Sequence, residues 1–221
     1  MKTLVIIPAL NEETRIASVL NDVRSQGFED VLVVDDGSKD KTSEMATSLG
    51  AKVVKHQINL GVGAATQTGI LWGVRNSFDY FLTIDGDGQQ DAVDLKKIRK
   101  ALEKADCVIG SRFLQKNKIP VFRRFANKVA NIFTGLFFGV WVSDSQSGLR
   151  GFNRNVAEKL HLHGGGFEYC SEFIREVNDA GFDILEVPIS VTYSIDSMQK
   201  GQNFAEGVST FMKLFLKAIS R

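Results

Sequence analysis

The sequence predicts an α/β fold, a mostly parallel β-sheet flanked by helices. Three observations carry that prediction. Short apolar, β-branched runs alternate with segments whose apolar residues recur at helical spacing through the first half of the 221-residue chain, the trace of right-handed βαβ crossovers. The runs are apolar at successive positions rather than at alternate ones, as in strands covered on both faces. The first, second and fourth runs then break into polar residues, and the carboxyl ends of strands are where open α/β sheets take up ligands.

The elements follow in order. Thr3–Ile7 is the first strand, ended by Pro8-Ala9-Leu10-Asn11-Glu12-Glu13. Ile16, Val19, Leu20 and Val23 mark a helix that Gly27 closes. Val31–Val34 is the second strand and runs into Asp35-Asp36-Gly37-Ser38; Ser38 or Asp40 can cap the next helix, which extends to Gly50. Lys52–Lys55 is a third, shorter strand, and Gly61-Val62-Gly63 opens a helix rich in alanine and glycine. The fourth strand, Phe81–Ile84, stops at Asp85-Gly86-Asp87-Gly88-Gln89-Gln90. A helix over Leu95–Leu102 and a strand over Cys107–Gly110 complete the alternation.

Beyond it the character changes. From Cys107 to Ser143 there is no acidic residue, yet Arg112, Lys116, Lys118, Arg123, Arg124 and Lys128 are present. Phe122, Phe125, Val129, Ile132, Phe133, Leu136, Phe137 and Val140 recur at helical spacing, an amphipathic helix over 119–140. Val208, Phe211, Met212, Phe215 and Ile219, accompanied by Lys213, Lys217 and Arg221, repeat the theme over 204–220. Basic, Phe-rich helices of this kind can lie in the headgroup region of an anionic membrane. The competing readings are a core helix with basic residues toward solvent, or pairing of subunits into a homo-oligomer through exposed Phe. Between the two segments, Asp144–Phe152 reads as a polar, glycine-punctuated loop, Gly164-Gly165-Gly166 as another loop, Tyr169–Ala180 as a helix bearing Glu172, and Ile184–Val191 as a strand pair.

Composition bounds the function classes. At 43% hydrophobic and 24% charged, with a formal net charge of +1, the chain has ample core for one domain and no general electrostatic footprint for nucleic acid. Cys107 and Cys170 stand far apart and read as buried free thiols in a reducing cytosol. Met1-Lys2-Thr3 leads straight into a strand with no secretory signal, and no apolar stretch reaches the roughly 20 residues of a spanning helix. A Gly-x-Gly-x-x-Gly turn does not follow the first strand, and no Walker-type loop is present.

The chemistry concentrates at Asp85, Asp87 and Gln89. Their spacing can turn three oxygens toward one point as the chain leaves the sheet, a donor set for a hard divalent ion such as Mg2+ or Mn2+. So few protein ligands leave coordination positions that phosphate oxygens fill well. The histidines carry less signal: His56 shows no partner, and His161 and His163 read as packed or solvated. Trp72 and Trp141 read as core or interface anchors.

With those residues in view, the chain resembles family 2 glycosyltransferases of GT-A fold, and among them the dolichol- or polyprenol-phosphate sugar synthases and their bacterial surface-polysaccharide relatives. The resemblance runs nearly end to end through Pro8-Ala9-Leu10-Asn11-Glu12, Val34-Asp35-Asp36-Gly37-Ser38, Asn59-Leu60-Gly61 to Gly69, Asp85-Gly86-Asp87-Gly88-Gln89, Gly110-Ser111-Arg112, Asp144-Ser145-Gln146-Ser147-Gly148 and Glu186-Val187-Pro188-Ile189. It implies one Rossmann-like domain over 1–221, with the nucleotide sugar held by 1–110 and the acceptor by 111–221. It implies a donor site of Pro8, Leu10, Glu12, Asp35, Asp36, Gly63, Asp85, Gly86, Arg112 and Lys200, with Lys200 on a loop that closes over the donor. The ion at Asp85, Asp87 and Gln89 would stabilise the departing diphosphate as a Lewis acid, with Asp87 and Arg112 in catalytic roles.

On the acceptor side stand Arg124, Lys128, Gln146, Ser147, Arg150 and Glu172. A lipid phosphate is already anionic and needs only positioning; a sugar hydroxyl needs a carboxylate base, for which Asp144 is the candidate. The implied reaction is inverting transfer to a polyprenyl phosphate at the inner face of the cell membrane, by a cytoplasmic protein bound peripherally. Transfer to a hydroxyl of a growing glycan is the alternative. A nucleotidyltransferase would want a Gly-rich basic loop after the first strand, where Pro8–Glu13 is acidic, and the Asp85-Asp87-Gln89 set speaks against a non-catalytic sugar-nucleotide sensor. Gly86 stands where the family usually has Ala. Ser194 stands where many lipid-phosphate synthases have Arg, and Tyr193–Gln202 is closer to the polysaccharide relatives.

Overall fold

The computed structural model describes residues 1–163 and 168–192. One sheet of seven strands runs through it in the order β3-β2-β1-β4-β6-β5-β7. The strands are β1 (Thr3–Ala9), β2 (Val31–Asp35), β3 (Lys52–Lys55), β4 (Tyr80–Thr83), β5 (Cys107–Ser111), β6 (Arg150–Asn153) and β7 (Ile184–Pro188). β1 pairs in parallel with β2 and with β4, β2 with β3, and β5 with β7; β6 runs antiparallel between β4 and β5.

Successive side chains of a strand point to opposite faces, and both faces here are covered. Leu4, Ile6, Leu32, Val34, Phe81, Cys107, Ile109 and Phe152 pack one core against α3 (Val62–Arg75), α6 (Arg154–Lys159) and α7 (Tyr169–Asp179). Val5, Ile7, Val33, Leu82 and Val108 pack the other against α1 (Ile16–Ser25), α2 (Thr42–Ser48) and α4 (Asp94–Ala101). The approach of α3 is so close that a Cβ at Gly69 would lie 2.4 Å from Ile6 Cγ2.

The structure departs from the sequence reading in two places. Arg150–Asn153 is a strand, where a loop was expected, and a short helix follows it. Ile184–Pro188 is a single strand rather than one of a pair, with only an isolated bridge from Val191 to Gln90 beyond it. Of the two cap candidates for α2, Asp40 accepts the Thr42 N–H (3.0 Å) at the helix start, while the Ser38 backbone N–H donates to Asp35 (2.8 Å).

α5 (Val121–Phe138) is the amphipathic helix expected over 119–140. Its inward face carries Asn127, Phe133 and Thr134, whereas Val121, Phe125, Val129, Ile132, Leu136 and Phe137 are exposed. The helix is therefore neither a plain core helix nor polar toward solvent. No helix among the described residues is long and apolar enough to cross a membrane. The segment 204–220, Lys200, Ser194 and the Gly164–Gly166 loop lie outside the described residues.

Candidate active site

Topology brings the chemistry to one rim. β2, β1 and β4 are parallel neighbours, so the segments leaving their carboxyl ends, Asp35–Ser38, Leu10–Glu12 and Asp85–Asp87, lie side by side. β6 is antiparallel and starts at Arg150, paired with Thr83, so the Asp144–Gly148 segment reaches the sheet at that same edge. β5 delivers Ser111 and Arg112 there as well.

The first two segments are knitted together. The Asn11 N–H donates to Ser38 Oγ (2.9 Å) and the Glu12 N–H to Thr42 Oγ1 (2.8 Å), while Gly86 N–H reaches Pro8 O (3.3 Å). Glu12 is buried, with Arg15 Nη1 on its Oε2 at 3.0 Å. Leu10 is half-buried, and Pro8, Gly63 and Gly86 are buried. Asp35 is fully enclosed; it takes the Ser38 N–H and the Ser43 hydroxyl, with Lys55 Nζ at 3.4 Å. Burial alone would raise its pKa, but those hydrogen bonds and Lys55 hold the carboxyl below its usual value. Its oxygens serve the loop.

Asp36 is engaged too. Its Oδ1 lies 2.7 Å from His56 Nδ1 and accepts the Leu60 N–H (2.9 Å); its Oδ2 accepts the Gly61 N–H (2.7 Å). His56, which has no partner legible in the sequence, lies between Asp36 and Thr68 Oγ1 (3.0 Å).

Asp85 and Asp87 stand together beyond β4. Gln90 closes on Asp85, accepting its backbone N–H (3.0 Å) and donating to Oδ2 (2.8 Å). Asp85 keeps some exposed area, yet protein is packed closely enough around it that desolvation dominates. That desolvation and the neighbouring Asp87 charge push its pKa up to about 7, against the pull of Arg150 and Arg112. Behind it runs Gly148: a Cβ there would lie 2.4 Å from Asp85 Oδ2. The third oxygen expected beside Asp85 and Asp87 belongs to Gln89. Gln89 turns its amide N–H onto Asp87 and its Oε1 toward Arg123 Nη1 (3.4 Å), because an amide beside an unneutralised carboxylate offers its donor.

Arg112 forms a fork with Asp144, Nε to Oδ2 and Nη2 to Oδ1, each at 2.7 Å. Asp144 is fully buried and also accepts the Arg112 backbone N–H (3.0 Å) and Asn127 Nδ2 (2.7 Å). The oxygens of Asp144, the expected candidate base, accept from a guanidinium, an amide and the backbone. Glu186 holds the same loop by accepting the N–H groups of Ser143 (2.9 Å) and Asp144 (3.2 Å). Asn131 grips it from α5 through Ser143 O (2.6 Å) and the Ser145 N–H (2.8 Å).

The remaining acceptor-side residues divide. Arg124 and Lys128 are exposed on α5. Gln146 is half-buried against Ser171 Oγ (3.3 Å). Ser147 is buried, and its hydroxyl has no hydrogen-bond partner among the described residues. Glu172 is buried and accepts the His163 N–H (3.1 Å). Arg150 lies inside the sheet, 1% exposed, donating to Ser147 O (2.7 Å) and Ser145 O (3.3 Å) with its guanidinium 4.5 Å from the Phe173 ring centre. It shapes the loop from below and adds positive potential to Asp85. Gln90, His56 and Asn127 carried no sequence signal as site residues; their importance lies in contacts that only the fold creates.

A mostly parallel sheet whose rim sets a pair of aspartates beside a forked arginine is the framework of a GT-A glycosyltransferase. The chain belongs to glycosyl transferase family 2, whose model matches residues 4–161. It is 32% identical over 96% of its length to the UDP-N-acetylglucosamine–dolichyl-phosphate N-acetylglucosaminyltransferase of Methanococcus voltae, covering 94% of that protein. It is 32% identical over 86% of its length to the polyprenol monophosphomannose synthase of Mycolicibacterium smegmatis, covering 77% of it. Glucosyl-3-phosphoglycerate synthase of Mycobacterium tuberculosis shares the fold with a TM-score of 0.77 at 21% identity, over 99% of this chain and 80% of that one. A second structure of that enzyme, with Mn2+, UDP and glucosyl-3-phosphoglycerate, superposes with a TM-score of 0.70 at 20% identity, over 96% and 79%.

Proposed function

We propose that this glycosyltransferase moves a sugar from a nucleotide-sugar donor to a polyprenyl phosphate, with inversion at the anomeric carbon and a divalent cation at Asp85 and Asp87. The observation that carries the choice of acceptor is the state of Asp144. A hydroxyl acceptor needs a carboxylate to take its proton, and the carboxylate best placed for that task is bound on both oxygens. A phosphate monoester arrives deprotonated, so the site has only to bind and orient it. Two relatives are named for transfer to dolichyl phosphate and for polyprenol monophosphomannose synthesis, which supports the same acceptor class.

The donor set suits Mg2+ or Mn2+. Burial and like charge at Asp85 are what a cation relieves. Asp85 and Asp87 would hold the ion from one side, leaving positions for diphosphate oxygens. When bound, it would supply Lewis-acid stabilisation of the leaving nucleoside diphosphate. Gln90 orients Asp85. Gln89 steadies Asp87 and is the third candidate ligand once its amide rotates. Arg112, fixed as a planar fork by Asp144, adds positive charge on the acceptor side of the pair. Pro8, Leu10, Glu12, Asp36, Gly63 and Gly86 line the donor end, and Lys200 would cover it. Arg124 and Lys128, beside the exposed apolar face of α5, would meet the anionic membrane that holds a lipid acceptor.

The test is incubation of the purified chain with UDP- and GDP-sugars and Mg2+ or Mn2+, with undecaprenyl phosphate or an oligosaccharide as acceptor. Nucleoside diphosphate release that requires the lipid phosphate and stops on chelation is expected. Release that requires the oligosaccharide instead would overturn the acceptor assignment.

A further inference from the structure

We infer that His56 is a positioning residue for the nucleotide end of the donor, acting through Asp36. The inference rests on the reading of the rim as a nucleotide-sugar site and goes beyond it, since His56 belongs to none of the segments that carry the family resemblance.

Asp36 is 3% exposed at the carboxyl end of β2. Its backbone N–H is tied to Ala9 O (2.9 Å), which fixes the main chain against the neighbouring strand. The side chain still has a rotation to lose, and three donors remove it. The Leu60 and Gly61 N–H groups come from the turn into α3, and the third is the imidazole. With His56 and Leu60 both on Oδ1, that oxygen is saturated, while Oδ2 keeps acceptor capacity beside Gly61. One carboxylate oxygen is thus spent on holding the group still so that the other can meet an N–H or O–H of a nucleotide.

The imidazole is fixed as well. Its backbone N–H donates to Asp35 O (2.8 Å), locking the residue where β3 ends. Nδ1 faces a carboxylate and Nε2 faces the Thr68 hydroxyl at 3.0 Å. In the neutral ring that pairing selects the tautomer with the proton on Nδ1, directed at Asp36, and Thr68 donates to Nε2. Asp36, His56 and Thr68 form one hydrogen-bonded file from the rim to the middle of α3. Removing its middle member takes away the one side-chain donor of the three that hold Asp36, and loosens the carboxylate on its Oδ1 side while the Leu60 and Gly61 N–H groups stay in place.

Calorimetric titration with UDP and GDP in the presence of Mn2+, and steady-state KM and kcat for the donor, test this in the full chain. His56→Ala is expected to weaken nucleoside diphosphate binding and raise donor KM by roughly tenfold or more, the scale of losing a hydrogen bond to a charged group. Its kcat at saturating donor and its acceptor KM stay within a few-fold. His56→Asn, whose amide can reach Asp36 from the Nδ1 side, recovers part of the affinity. Thr68→Val, which leaves the imidazole but removes one anchor, gives a smaller loss of the same kind and serves if His56→Ala does not fold. A variant set that melts at lower temperature yet keeps wild-type nucleotide affinity would make His56 a purely structural residue and overturn the inference alone. Wild-type chain that binds neither UDP nor GDP would instead overturn the donor site on which it rests.

Discussion

Gly148→Ala gives the sharpest test of how the acceptor loop is built against the aspartate pair. A Cβ at that position would lie 2.4 Å from Asp85 Oδ2, 2.5 Å from Oδ1 and 2.7 Å from Cγ, where ordinary contact begins at 3.4 Å. The methyl group therefore needs a displacement of about 1 Å, a misplacement that costs on the order of 100-fold in rate where reacting groups must align. Neither partner yields easily. Asp85 is bracketed by Gln90 at 2.8 and 3.0 Å, and Gly148 O accepts the Thr83 hydroxyl at 2.7 Å. Overpacking of this kind costs roughly 1–3 kcal/mol in stability. For a chain of this size that lowers the melting temperature by about 2–4 °C per kcal/mol. Differential scanning calorimetry and initial rates of nucleoside diphosphate release, run over a titration of Mn2+, read both effects. The expected variant is folded, modestly less stable, about 100-fold slower and weaker in its cation dependence. Wild-type turnover in Gly148→Ala would mean that the carboxylate of Asp85 is not held where the structure places it, and the cation assignment would fall with it.

Three further outcomes follow from the same geometry. Asp85, raised to about 7 from the usual 3.8, keeps its proton in the folded state where the unfolded chain has released it; the stability this confers is present below about pH 4 and is lost as pH rises to about 7. Chelator-treated protein should therefore melt progressively lower from pH 5 to pH 8, Mn2+ should raise the melting temperature more at pH 8 than at pH 5, and Asp85→Asn should flatten both trends; a metal-free melting profile without that fall contradicts the burial of the group. Asp35, held low by its hydrogen bonds, acts with the opposite sign only in more acidic solution. Asp144→Asn should raise acceptor KM and destabilise by about 3–5 kcal/mol, the cost of breaking a buried ion pair; a normal acceptor KM with lost pH dependence of kcat would restore Asp144 as the base. Phe152→Ala should cost about 3–5 kcal/mol in chemical denaturation, since Phe152 is fully buried and stacks on Phe81 at 5.5 Å; a loss below about 1 kcal/mol would refute the placement of β6 between β4 and β5.

The parallel half of the sheet was legible because its strands announce themselves. Leu4–Ile7 and Val31–Val34 are apolar throughout because both faces of each strand are covered, and the helices between them carry their apolar residues at helical spacing. β6 could not be seen that way. Arg150-Gly151-Phe152-Asn153 offers one apolar side chain, and its charged member points into the core, where backbone carbonyls and an aromatic face stand in for solvent. Strand order hides for a related reason: nothing local says that a late strand will insert antiparallel between β4 and β5. At the site, the residue types were legible but not their partners. Asp85 and Asp87 declare themselves by spacing. The occupation of Asp144 by Arg112 and Asn127, and of Asp36 by His56, depends on long-range pairing that spacing does not encode.

α5 shows why that distinction matters for function. In a helix packed on a core, a Phe-rich stripe is the face to bury, and Asn and Thr are the face to wet. Apart from the buried Phe133, α5 does the reverse, because the loop beneath the helix presents polar groups to satisfy. Asn127 meets Asp144, Asn131 meets Ser143 and Ser145, and Thr134 meets Ser171 (3.2 Å). A buried N–H or carboxylate left without a partner costs more than an exposed Phe, so the polar side of the helix is drawn inward. The apolar side is left outward with Arg124 and Lys128 beside it. One helix thereby ties the charge of Arg112 to the surface through which a lipid-borne phosphate would approach. Asn127→Leu should therefore impair use of the lipid acceptor more than donor hydrolysis, and equal loss in the two assays would break that link.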